Sequence, residues 1–132
     1  MNKLPIAVLA LMVNPKGEVL AVSRKTNHED LGFPGGKPEP GETYEKALAR
    51  EIFEETGCQI FPPFETVFAT VDNAGYLAIA YLVRDWFGEP VAREAGKVLW
   101  VPPERLIERS CTWWDYNEAL FETLKSTGLW PP

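Results

Sequence analysis

Three carboxylates, Glu51, Glu54 and Glu55, stand near the end of the stretch GGKPEPGETYEKALAREIFEETGC, residues 35–58. At about 100° per residue of helix they fall near 0°, 300° and 40°, so they share one face. Like charges this close repel unless a cation sits between them or they point into water. Carboxylates at i, i+3 and i+4 form a one-turn claw of hard oxygen ligands suited to Mg²⁺ or Mn²⁺, and the exposed carbonyls of Gly35-Gly36 can add another. A metal held there can neutralise phosphate oxygens and activate water, the chemistry that cleaves a phosphoric anhydride. The alternative is a solvated helix face with no ligand.

The elements around this stretch must position it. Thr43 suits an N-cap, Glu45 complements the dipole in the first turn, and the helix meets no breaker before Gly57, which suits a left-handed C-terminal position. Pro38, Pro40 and Gly41 keep the preceding loop out of helix. Leu48, Ala49 and Ile52 lie at about 60°, 160° and 100°, an apolar stripe beside the carboxylates. Residues 4–13 are apolar throughout and read as a buried strand. Residues 14–17, Asn-Pro-Lys-Gly, read as a turn, and 18–24 as a second strand forming an antiparallel hairpin with the first. Residues 25–31, KTNHEDL, are polar and aperiodic and read as a loop. Further strands are predicted at 65–71, 76–84 and 97–101, and a helix at 115–126 with Tyr116, Ala119, Leu120 and Leu124 at helical spacing. The expected class is α/β, a mixed sheet covered on both faces.

A length of 132 residues with 45% hydrophobic content fits one domain spanning 1–132. A formal charge of -6 argues against stable gripping of a nucleic-acid backbone, yet leaves room for phosphate ligands that arrive with a divalent cation. Cys58 and Cys111 have apolar neighbours and no CxxC spacing, so reduced thiols are expected. The short run LPIAVLALMV lacks a small-residue cleavage pattern and no run of 18 apolar residues occurs, so no membrane association and a cytoplasmic location are expected. Whether the chain is a monomer or a homodimer is left open.

Gly36, Glu42, Arg50-Glu51, Glu54-Glu55 and Gly57, with apolar positions at Ile52 and Cys58, resemble the complete Nudix box of hydrolases acting on nucleoside diphosphates linked to another group. That resemblance implies the family's α/β/α sandwich, with the box helix and a C-terminal helix. It implies a metal site made of the Gly36 carbonyl, Glu51, Glu54 and Glu55, with Arg50 paired to Glu42. The segment 88–94, GEPVARE, followed by Trp100, is similar to a loop of the mutator-type members that hydrolyse oxidised purine nucleoside triphosphates. There a glutamate at the place of Glu94 reaches the metals or the attacking water; the plainer reading pairs Glu94 with Arg93 or Lys97. Catalytic expectations therefore fall on Glu51, Glu54, Glu94 and Arg50, with proton transfer assigned to Glu51, Glu54 or Glu94. Substrate-binding expectations fall on Arg24, at the end of a strand pointing toward the glycine loop, and on the segment Trp113-Trp114-Asp115-Tyr116-Asn117-Glu118. That segment offers aromatic surface beside amide and carboxylate groups, with Trp114, Asp115 and Asn117 as its candidates. The plainer readings are an Arg24 that solvates a strand edge and tryptophans that belong to the core. His28 reads as a loop residue rather than a base.

Other readings remain within the resemblance. Tyr76, past the box, echoes dinucleoside-polyphosphate hydrolases, and VLAVSRK with FPGG partly echoes coenzyme A hydrolases. ADP-ribose hydrolases tend to be longer, and an isoprenoid diphosphate isomerase needs catalytic groups not evident here. A non-catalytic nucleotide-sensing domain typically breaks the acidic box, which is intact here.

Overall fold

The computed structural model describes residues 3–94 and 96–132. The chain runs β1 (Ile6–Leu11), β2 (Val19–Arg24), β3 (Asn27–Gly32), β4 (Gly35–Gly36), α1 (Tyr44–Thr56), β5 (Gln59–Val71), β6 (Leu77–Phe87), β7 (Val98–Val101), a 3₁₀ turn (Pro103–Ile107) and α2 (Trp114–Ser126). Strands β4-β1-β6-β5 form one sheet and β3-β2-β7 a second. The first sheet is mixed, β1 running parallel to β6 and antiparallel to β4, while β5 and β6 pair antiparallel.

The expected turn at 14–17 forms with a short antiparallel start, but β1 and β2 do not go on to pair as a hairpin. β1 is apolar on both faces, as a central strand must be, and β4 and β6 occupy its two edges. β2 leaves for the second sheet. A bridge between Val13 and Val19 and a hydrogen bond from the Leu20 N–H to the Met12 carbonyl (3.0 Å) mark the crossing. Residues 27–32 are a strand instead of the expected loop. β3 is an edge strand whose Asn27, His28 and Glu29 face solvent, leaving only Asp30 and Leu31 buried. β5 also starts earlier than expected and carries Pro62-Pro63 at an irregularity between Phe61 and Phe64, a placement open to proline because β5 is an edge.

The period-2 alternation of the sheet assigns side chains to two cores. Val8, Ala10 and Met12 join Ala47, Leu48 and Ile52 of α1 on one face, with Tyr81 and Val83. Leu11, Ala78, Ala80 and Leu82 join Tyr116, Leu120, Phe121 and Leu124 of α2 on the other. Each buried Leu or Ile of this kind stabilises the fold by about 1.5–3 kcal/mol. The result is an α/β/α sandwich, the mixed sheet covered on both faces.

α1 begins and ends as its sequence requires. The Thr43 hydroxyl accepts the Lys46 N–H at 3.2 Å, and Gly57, at φ 76°, donates its N–H to the Phe53 carbonyl at 2.9 Å. Its apolar stripe is seated on the sheet. The carboxylates are therefore directed to its edge, where β4 lies.

Candidate active site

Arg50 organises the carboxylate face of α1. Its Nε and Nη2 donate to the two oxygens of Glu42 at 2.8 and 2.9 Å, a bidentate pair that ties the helix to the loop before it. Nη2 also donates to the Lys37 carbonyl at 3.1 Å. Nη1 turns the other way, to Glu51 Oε1 at 3.0 Å and, more loosely, to Glu54 Oε2 at 3.4 Å. One guanidinium thus holds the loop in shape and places positive charge between two members of the claw.

The glycine pair of β4 completes this corner. A side chain at Gly35 would collide with the backbone of Val8 and Leu9, because β4 lies directly against β1. A Cβ at Gly36 would fall 2.5 and 2.6 Å from the oxygens of Glu51, so the absent side chain leaves the space that the carboxylate fills. The Gly35 N–H donates to Glu55 Oε2 at 2.9 Å.

Burial and mutual repulsion shape the protonation of the claw. Glu55 is pushed up to about 8, first by desolvation and then by the charges of Glu51, Glu94 and Glu54, against the stabilising N–H of Gly35. Burial also raises Glu51, although Arg50 opposes the shift. Glu42 is held down at about 2 by its hydrogen bonds to Arg50, and its partners hold Arg50 firmly protonated. Among the described residues no three His, Cys, Asp or Glu side chains form a ready-made cage. Glu51 and Glu54 instead share Arg50, and Glu55 leans on Gly35. In kind the donors fit a hard divalent cation: oxygen ligands only, repelling one another, already drawn to a positive group.

Glu94 lies on the segment after β6 that runs along the end of α1, fixed by hydrogen bonds from the Val91 N–H to the Thr56 carbonyl (2.9 Å) and the Arg93 N–H to the Glu55 carbonyl (3.2 Å). Its charge is felt at both Glu51 and Glu55. Of its basic neighbours, Arg93 sits 4.7 Å over the Phe53 ring and Lys97 faces Glu29 at 3.8 Å.

A cleft of about 390 Å³ opens on the α2 side of the sheet and reaches Gly35 and Gly36. Arg24 and Asn117 line it, together with Phe33, Lys37, Asp72, Tyr76, Trp113 and Tyr116. Asn117 is 1% exposed and donates its amide N–H to the Leu106 carbonyl at 2.9 Å. Trp114 and Asp115, both expected at the substrate, do not line the cleft. α2 begins at Trp114; Trp113 lines the cleft, whereas Trp114, half-buried, packs against the α2-side core beneath Arg109, 3.5 Å over its ring. Asp115 instead accepts from Asn73 Nδ2 at 3.1 Å and the Tyr116 N–H at 2.9 Å. Lys37 and Asp72 were not foreseen as cleft residues. Lys37 follows the glycine pair, with its Nζ 4.7 Å over the Tyr76 ring, and Asp72 opens the turn 72–76 by accepting the N–H groups of Ala74 and Tyr76 at 2.9 and 3.0 Å. The DNAG turn was legible; its approach to the glycine loop was not. His28 is exposed on β3.

Comparisons with known proteins agree with this geometry. The NUDIX domain model matches residues 3–124, so the chain belongs to the NUDIX domain family. It is a pyrophosphohydrolase, and enzymes of this family generally require a divalent metal. The chain is 34% identical over 115 residues to the 8-oxo-dGTP diphosphatase of Haemophilus influenzae, covering 80% of this chain and 82% of that protein. It is 29% identical over 108 residues to the CTP pyrophosphohydrolase of Escherichia coli, covering 78% and 80%. The crystal structure of the MutT NUDIX hydrolase from Burkholderia pseudomallei superposes with a TM-score of 0.75 at 26% identity, covering 93% of this chain and 99% of that one. The mutator-type similarity and the sandwich fold expected from the sequence are both upheld. No helix among the described residues is long and apolar enough to cross a membrane.

Proposed function

We propose that the chain hydrolyses a purine nucleoside triphosphate, oxidised or ordinary, to the monophosphate and pyrophosphate, using Mg²⁺ or Mn²⁺. The observation that carries this reading is the continuity of one cleft, from Arg24, Trp113 and Asn117 to the glycine pair against which Glu51 rests. Stacking surface and an amide suit a purine, and the glycine end suits its phosphates. The similarity to an 8-oxo-dGTP diphosphatase supports the same choice.

In this proposal the Gly36 carbonyl, Glu51, Glu54 and Glu55 would hold the cation, with Glu94 approaching from its loop, and the cation would supply charge neutralisation at the phosphates and lower the pKa of the attacking water. Arg50 holds the loop and the helix in register. Glu54, 48% exposed and only loosely held by Arg50, is the freest of the three to take a proton from water. As that proton goes to Glu54, the water oxygen bonds to a phosphorus flanking the α–β bridge. The bridging P–O bond breaks and its electron pair leaves with the departing group, pyrophosphate on attack at the α-phosphorus or the nucleoside monophosphate on attack at the β-phosphorus. Arg24 and Asn117 orient the base.

Steady-state kinetics on 8-oxo-dGTP, dGTP, dATP, CTP, diadenosine polyphosphates, ADP-ribose and coenzyme A, with product identification, test the assignment. The expected result is a preference for purine triphosphates with pyrophosphate as product. A preference of more than tenfold for CTP, ADP-ribose or a dinucleoside polyphosphate overturns it. Glu54→Gln is expected to lower kcat by about 10²–10⁴-fold with the fold intact; near-wild-type turnover at saturating Mg²⁺ would remove Glu54 from the mechanism.

A further inference from the structure

Asp30 is one of few buried carboxylates in the described residues, 6% exposed on the edge strand β3, and it is not part of the acidic face of α1. Both of its oxygens bond Thr112, and one of them also approaches Arg24. Oδ1 accepts the Thr112 N–H at 2.8 Å, and Oδ2 accepts the Thr112 hydroxyl. Thr112 immediately precedes Trp113, which lines the cleft. The same Oδ2 lies 3.4 Å from Nε of Arg24, also a cleft residue, whose side chain is otherwise 56% exposed. A long, exposed arginine carries many rotamers, and ordering it on a ligand costs entropy. A buried counter-charge removes much of that cost beforehand, and it engages Nε, leaving the terminal Nη groups to reach a ligand.

We propose that Asp30 is a positioning residue for substrate recognition: one buried carboxylate pre-orients Arg24 and, through Thr112, fixes the segment bearing Trp113. The chemistry it serves is the acceptor-rich edge of a nucleobase, presented between a guanidinium and an aromatic ring. This rests on the nucleotide reading above. It adds that the geometry of the base end of the cleft depends on a side chain that does not itself line it.

The experiment is a double-mutant cycle on Asp30→Asn and Arg24→Met. Asn keeps the shape and an oxygen for the Thr112 N–H while removing the charge. Steady-state hydrolysis of dGTP and 8-oxo-dGTP is read together with calorimetric titration of dGMP and 8-oxo-dGMP. Asp30→Asn is expected to raise KM and the monophosphate Kd by about tenfold, the size of a lost charge-assisted contact. It should change kcat far less, and add nothing once Arg24 is Met. Losses that multiply in the double variant overturn the pre-orientation of Arg24, because Asp30 would then act without it, and a fall confined to kcat overturns the role in recognition altogether. The Nε–H resonance of Arg24 in wild-type protein, assigned by its disappearance in Arg24→Lys, gives a readout that survives a misfolded variant. A chemical shift displaced from that of a free arginine is expected, and one identical to a free arginine's overturns the pairing. Failure of the substrate reading is distinguishable. A wild-type chain inert on both triphosphates but binding the monophosphates would refute the turnover reading while the titrations still decide Asp30. Nucleotide binding indifferent to Arg24 refutes the positioning role.

Discussion

Gly36 and Glu55 show how single atoms set the state of the site. The backbone at Gly36 does not adopt a positive φ, so its identity is not demanded by conformation. What demands it is the Glu51 carboxylate, close enough to exclude a Cβ. Gly36→Ala is therefore expected to displace Glu51 by a fraction of an ångström to about 1 Å, lowering kcat by about 10²-fold with little change in melting temperature. Kinetics beside a thermal melt check it, and a fully active Gly36→Ala enzyme would remove the close approach from the argument. Glu55 answers to pH. An acid raised from 4.5 to about 8 prefers to be protonated in the fold. It therefore costs no stability below about pH 4.5, an increasing amount between, and the full penalty once pH exceeds about 8. Glu55→Gln should raise the melting temperature of the metal-free protein at pH 9 and leave it unchanged at pH 4, by scanning calorimetry in the presence of a chelator. No gain at pH 9 would mean that burial does not burden this carboxylate.

At the scale of elements, α1 and the loop before it act as one unit because Arg50 bonds both. Glu42, held at about 2 by Arg50, works with the opposite sign to Glu55. Its stabilising contribution is complete above the unfolded value of 4.5 and is lost as pH falls toward 2. Glu42→Gln should make the protein less stable at pH 7, with the difference from wild type vanishing near pH 2, as urea titrations at several pH values would show; an equal loss at all pH values would assign the effect to packing. This unit was readable in advance. Thr43 and Gly57 mark its ends, and the box residues between them have chemistry that explains their spacing. The second sheet was harder to read, because its edge strand β3 hides one buried pair, Asp30 and Leu31, within a polar heptapeptide that shows no period. The strand expected only from residue 65 begins at Gln59, because the edge position of β5 tolerates Pro62-Pro63 where proline usually ends a strand. The two tryptophans before and at the start of α2 divide between the cleft and its surroundings, Trp113 lining it and Trp114 not. α2 starts at Trp114, and the non-helical backbone of Trp113 before it sends the two rings in different directions, a boundary no sequence pattern fixes to the residue. No sequence pattern shows that Asp30 meets Thr112, 82 positions away.

For the molecule as a whole, the mixed sheet is a wall with a core on each side, and the functional regions divide along it. Ala7, Leu9 and Ala78 form the floor of the cleft on the α2 side, whereas the carboxylates belong to α1 on the other. The two meet at the edge strand β4, where two glycines bring the cleft against Glu51. This division makes the consequences of core damage separable. Leu48 of α1 and Leu120 of α2 are both fully buried, in different clusters. Truncating either to alanine should destabilise by about 2–5 kcal/mol, through lost burial and the cavity left behind. Their kinetic signatures should differ. Leu48→Ala loosens the helix that carries the claw and is expected to lower kcat. Leu120→Ala loosens the helix that carries Asn117 and is expected to raise KM. Because the two sites share no cluster, their stability losses should add within about 0.5 kcal/mol in the double variant. Denaturant titrations and kinetics on the three variants test this together. Strong non-additivity, or the same kinetic signature from both truncations, would show that the sheet transmits disturbance between the cores and that binding and chemistry are not separately supported.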